Sequence, residues 1–232
     1  MERLPEDGLA PAAADYRWLL DRGYPDQPAL KIVGDRYRLS SVGRAMLYRG
    51  VFSSPDSARR CARLVEATEG EMTVDGHNVL FTAWNCLAGR PIVLATDGFV
   101  RDIGGTRSRL PRDHRFTRIA RLLCDALVSL RPAGVTILLD EPLPWSREHA
   151  AELRELWATI GGAPSTPAEI RTEPSVDGAV AATNAGVIAT SDTAIVDRCP
   201  VPVVDLGGLI VRTLARAEPV DMFELIRAGT GA

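Results

Sequence analysis

Cysteine and histidine are scarce in this chain, with four and three copies among 232 residues. Cys61, Cys86, Cys124 and Cys199 stand far apart with no CxxC pair, which signals neither a disulfide framework nor a zinc site. No apolar run approaches the roughly 20 residues of a membrane-spanning helix. The opening stretch, Met1 to Ala14, is acidic and rich in proline and alanine, unlike a secretory leader. A cytoplasmic protein without membrane contact is expected. The phosphate-cradling patterns GxGxxG and GxxxxGKS/T are missing too, and Gly104-Gly105-Thr106-Arg107 joins no strand directly to a helix, so it reads as a surface loop.

Charge of one sign is also lacking overall: the net charge is -3, which argues against a general nucleic-acid coat. Its distribution is uneven. Residues 31–60 and 101–121 each carry a surplus of +5, whereas residues 171–205 carry -3. An acidic pocket flanked by basic surface suits a metal-dependent enzyme acting on a polyanion. Solvated helix faces would give similar clusters.

What the chain does have is a recurring strand-end carboxylate. Short runs of β-branched and aliphatic residues stop at or near Asp75, Asp97, Asp140, Asp192 and Asp205. Such runs suggest strands buried on both faces of a parallel sheet. The carboxyl ends of those strands share one edge, where open α/β folds bind ligands. Acids gathered there raise one another's pKa unless a cation, most naturally a hard divalent metal, lies between them.

Residues 1–14 read as a flexible leader and 15–60 as a small basic α+β module. Within the module a short helix carries Tyr16, Leu19 and Leu20, Ala29–Val33 and Tyr37–Leu39 flank a Gly34-Asp35 turn, and Ser40-Ser41 caps a helix through Leu47. The main domain, 61–228, reads as strands at 71–75, 91–96, 135–139, 168–172, 186–190 and 201–205. Helices are expected at 78–88, 113–130, 146–160, 175–184, 192–198 and 207–216, and a loop at 98–112. This alternation predicts a Rossmann-like, three-layer α/β/α domain with a mostly parallel sheet. Gly229–Ala232 is expected to fray. His114 and His149 read as surface or capping residues. Trp18, Trp84 and Trp157 read as core, and Trp145, beside a proline-rich loop at a strand end, as the tryptophan best placed to stack on a base.

Val74-Asp75-Gly76-His77-Asn78, the strand Ile137–Glu141, Val176–Asn184 and Val187–Asp192 resemble, in order and spacing, the PIN-like nucleases, especially their NYN branch. The resemblance covers roughly residues 71–216. It implies a strand order 3-2-1-4-5, with the 91–96 strand added near an edge. Residues 15–60 resemble a small uncharacterised module that precedes such domains in some prokaryotic proteins.

Matched position by position, Asp75, Asp177 and Asp192 correspond to the family's metal-binding acids and Asp140 to a further acid of some members. Asn78 and Ser191 correspond to orienting residues, and Asp197 stands later than the second acid of an SDxD pattern. Mg²⁺ or Mn²⁺ is the implied cofactor, and RNA the implied partner. The implied reaction is phosphodiester hydrolysis leaving a 5′-phosphate and a 3′-hydroxyl. Arg101, Arg107, Arg115 and Arg118 are candidates for gripping phosphates, the last two sharing a helical face. A homodimer is allowed. The readings that compete are an inactive PIN-like scaffold for RNA or protein, and a small-molecule phosphohydrolase. Asp97 and Asp205 read as turn formers.

Overall fold

A computed structural model describes residues 7–66, 69–104, 109–160 and 166–231. In chain order it begins with helices α1 (Leu9–Leu20), α2 (Asp26–Arg36), α3 (Ser41–Gly50) and α4 (Ser54–Cys61), followed by strands β1 (Leu64–Val65) and β2 (Glu71–Asp75). Next come α5 (Gly76–Leu87), β3 (Ile92–Leu94), β4 (Val100–Asp102), α6 (His114–Leu130), β5 (Gly134–Asp140), α7 (Ser146–Thr159) and β6 (Ala168–Glu173). The chain then runs through α8 (Val176–Ala181), β7 (Val187–Ala189), α9 (Thr193–Arg198), β8 (Val203–Val204) and α10 (Leu206–Leu209) with its π-turn Ile210–Leu214. It closes with β9 (Val220–Asp221) and α11 (Met222–Gly229).

These elements form two compact units. One comprises Arg63–Arg90 and Gly104–Glu218. Its six-stranded parallel sheet has the order β1-β8-β7-β2-β5-β6. With helices flanking the sheet, this is the expected α/β/α architecture, and five of the six expected strands, β6, β5, β2, β7 and β8, lie in the expected order. Both sheet faces are apolar because the strands alternate between two buried sides. Met72, Val74, Ile137, Leu139, Val187 and Ala189 join one core with α5, α6 and α7. The alternate residues Leu138, Ile188 and Val203 are buried as well. Helix α6 shows why the pattern works: Phe116, Ile119, Leu123 and Leu127 fall three or four apart and are fully buried, whereas Arg115, Arg118 and Arg121 face solvent. Burying each such large side chain contributes about 1.5–3 kcal/mol.

The other unit comprises Met1–Ala62, Pro91–Ile103 and Pro219–Ala232, so it is assembled from three separate stretches rather than from an N-terminal segment alone. The strand at 91–96 does not extend the main sheet. β3 pairs antiparallel with β4 and parallel with β9 in a separate three-stranded sheet, and the main sheet's extra strand is β1.

The expected turn at Gly34-Asp35 lies inside α2, because Ala29 and Val33, four apart, bury on one helical face. Gly34 has no side chain because the Arg44 guanidinium occupies the place a Cβ would take. The expected leader is also partly helical. Leu9, Ala12 and Ala13 are fully buried in α1, an alanine-rich stretch with high helix propensity. Gly229, expected to fray, instead ends α11 packed on the Ala10 carbonyl, where a Cβ would come within 2.1 Å.

Candidate active site

All strands of the six-stranded sheet are parallel, so their carboxyl ends share one edge. The chain builds outward from β2 to β5 and β6 on one side, then returns to place β7 and β8 on the other. The boundary between β2 and β7 is therefore the switch point, where a ligand crevice opens. Asp75 ends β2, Asp140 ends β5, Thr190-Ser191-Asp192 follows β7, and Asp177 lies in the first turn of α8.

Asp75 is the buried member of the group. Its carboxylate caps α5 by accepting the Asn78 backbone N–H at 3.3 Å and also accepts the Thr190 hydroxyl at 2.9 Å. Burial pushes its pKa up to about 7 against the pull of these two hydrogen bonds, and the neighbouring charges of Asp140 and Asp192 push the same way. Gly76 follows because a Cβ there would meet Leu139 and the Leu138 carbonyl.

Thr190 links two of the acids, since its hydroxyl oxygen also accepts the Asp192 backbone N–H at 3.1 Å. Asp192 in turn caps α9 through the N–H groups of Ala194 and Ile195. Asn78 reaches across the switch point, where its side-chain oxygen accepts the Ser191 N–H at 2.9 Å and hydroxyl at 3.1 Å. Burial raises the pKa of Asp177, and the charges of Asp192 and Asp140 add to it, with Arg198 opposing. Asp75 and Asp177 thus each feel both Asp140 and Asp192. Asp197 is exposed on α9.

Asp140 brings in a residue the sequence reading left without a role. Its backbone N–H donates to His77 Nδ1 at 2.8 Å, which places the imidazole proton on Nε2. The same nitrogen lies 3.2 Å from Asp140 Oδ2. His77 and Thr190 carried a sequence signal only as unassigned letters within VDGHN and VIATSD.

The donor chemistry and the concentration of negative charge suit a hard cation. As the side chains stand, no three His, Cys, Asp or Glu among the described residues are arranged as a metal cage. Chemistry and charge therefore fit a divalent metal, whereas the side chains as placed do not assemble a cage for one.

The candidate phosphate-gripping arginines divide. Arg115 and Arg118 are exposed on α6, with Arg115 paired to Asp113. Arg107 lies outside the described residues. Arg101 is no phosphate ligand: it is 1% exposed in the other unit, with both terminal nitrogens on Asp97 at 2.7 and 2.9 Å. Asp97 is accordingly a buried ion-pair partner rather than a simple turn former, whereas Asp205 caps α10. His149, expected at the surface, is buried in α7, its ring stacked on Phe116. Trp18, expected in the core, is 52% exposed.

Residues 64–208 match the model of a domain of unknown function, DUF5616, and residues 8–63 match that of a protein family of unknown function, DUF434. The first match spans more than half of the chain, which belongs to the DUF5616 family. The chain is similar to an uncharacterised protein of Methanocaldococcus jannaschii, with 28% identity over 188 residues that cover 80% of this chain and 87% of the relative. No solved structure matches the chain. No helix among the described residues is long and apolar enough to cross a membrane.

Proposed function

We propose that this DUF5616 member is a metal-dependent ribonuclease that hydrolyses phosphodiester bonds at the Asp75 edge. The observation behind this reading is a buried carboxylate at the switch point, pushed up to about 7, whose charged neighbours are other carboxylates. A desolvated acid among acids is costly, and a cation relieves both the burial and the repulsion. Bound Mg²⁺ or Mn²⁺ would supply an activated water and neutralise charge on the leaving oxygen. Asp75, Asp140, Asp177 and Asp192 would hold it. The remaining residues act by position: Thr190 ties Asp75 to the Asp192 backbone, Asn78 fixes Ser191, and His77 holds the end of β5. Arg115 and Arg118 offer phosphate contacts.

The test is incubation of purified protein with labelled single-stranded and structured RNA plus Mn²⁺. Cleavage is expected, and cleavage no greater than that of Asp75→Asn with Asp192→Asn would sink the reading. The absence of a ready-made metal cage among the described residues favours a second reading, a scaffold that binds RNA without cutting it. Calorimetry with Mn²⁺ separates the two. Heat that vanishes in the double variant supports the nuclease, and no heat from the wild type supports the scaffold.

A further inference from the structure

The same edge carries an aromatic residue held in a costly backbone conformation. Trp145 precedes α7 in a left-handed conformation, φ 69°, and its side chain is 45% exposed. A bulky residue held there costs about 1–3 kcal/mol of backbone strain. Leaving nearly half of an indole in water also forgoes burial that would have stabilised the fold. Surface positions shed such residues readily, so two costs at one position point to use rather than packing.

The surroundings hold Trp145 in place. The next residue, Ser146, donates its hydroxyl to the carbonyls of Asp140 and Leu143, which ties the start of α7 to the strand end that carries Asp140. His149, one turn into α7, stacks on Phe116 with centroids 4.0 Å apart, and its Nε2 lies 3.0 Å from the Pro111 carbonyl. This pins the segment leading into α6. Arg112, between those two anchors, lies with its guanidinium carbon 3.9 Å from the Trp145 ring centroid. Arg109, Arg115 and Arg118 are exposed in the same stretch of chain. A fixed, half-open indole beneath a cation, in an arginine-rich segment, fits a ligand that is flat, aromatic and anionic along its backbone.

We propose that Trp145 with Arg112 is a stacking platform for an unpaired nucleobase of single-stranded RNA. The platform would hold a nucleotide flanking the one presented to the Asp75 edge. This rests on the ribonuclease reading for its purpose, but its binding can be measured without cleavage. Trp18 supplies a control within the same chain: it is also exposed and also lies under an arginine, with Arg22 at 3.5 Å, but it sits in the ordinary backbone of α1.

The experiment measures fluorescence anisotropy of a labelled single-stranded RNA, the same oligonucleotide in DNA, and an abasic oligomer of equal length, with chelator present and the full chain throughout. Stacking one base is worth roughly 5- to 150-fold in affinity. Trp145→Ala is therefore expected to weaken RNA binding about ten-fold or more, Trp145→Phe to retain most of it, and Trp18→Ala to leave it unchanged. Binding of the abasic oligomer should not respond to Trp145→Ala. DNA bound as well as RNA, with the same dependence on Trp145, would still support the platform and show that it reads the base alone. No RNA binding by the wild type, equal binding by Trp145→Ala, or an equal loss with the abasic oligomer would each overturn the proposal. Cleavage in Mn²⁺ is scored separately: a wild type that binds through Trp145 without cutting retains the platform and loses the nuclease.

Discussion

Asp75 and Asp97 occupy the same place in the sequence pattern, at or just after a short aliphatic strand, and both are buried. Their electrostatics are opposite. Asp97 is 0% exposed and takes both terminal nitrogens of Arg101, with Arg60 3.7 Å away. The Arg101 guanidinium in turn lies 5.0 Å from the Phe52 ring and 5.3 Å from the Phe99 ring. That carboxylate has its countercharge built in. Asp75 has a threonine hydroxyl, a backbone N–H and other carboxylates. A motif of apolar run plus aspartate therefore identifies a strand end and nothing more. The charge of the neighbours decides whether the acid serves the fold or awaits a ligand.

The largest effect should come from breaking the compensated pair. Asp97→Ala removes the carboxylate that takes both terminal nitrogens of the buried Arg101, which should cost about 3–5 kcal/mol, read as a fall in the thermal unfolding midpoint. An unchanged midpoint would remove the contrast at its root. A smaller effect of the opposite sense is expected at Asp75. Its folded pKa, about 7, lies above the ordinary carboxylate value of 3.8, so its contribution to stability is fully present below about pH 4 and is lost as pH rises through 7. Across that window the wild type should lose up to a few kcal/mol that Asp75→Asn does not lose. Saturating Mn²⁺ should flatten the wild-type curve. Urea titrations at pH 4, 5.5 and 7.5 check this, and parallel curves for the two proteins would contradict it. The smallest effect belongs to the solvent-exposed pair Arg115–Asp113, where Arg115→Ala should leave the unfolding midpoint unmoved. The same variant should make RNA affinity less steeply dependent on salt, by about one in the logarithmic slope.

The sheet was legible because its strands are short aliphatic runs, rich in β-branched residues and bounded by polar punctuation. The four acids were legible through their order and spacing, and the chain does bring them to one edge. What escaped reading depended on how the chain pairs and turns. β3 looks like any other buried strand, and only its pairing of Val93 with Val220, far along the chain, assigns it to the second sheet. Arg101 looked like a surface cation because its partner Asp97 faces it only after the chain turns at Gly98, φ 87°. Residues 29–39 were ambiguous for a different reason: two short apolar runs around a Gly-Asp pair satisfy a hairpin locally, and burial of Ala29 and Val33 on one side favours the helix.

Met222 is fully buried in the second unit, and a Cβ on Gly50 would come within 2.7 Å of its side chain. On the ribosome, α1 to α4 are made long before Met222, the residue that fills the space beside Gly50. Their core therefore stays incomplete until that segment follows, by which point the larger sheet already has all its strands. A premature stop before Pro219 would spare every element of that sheet and still strand those helices.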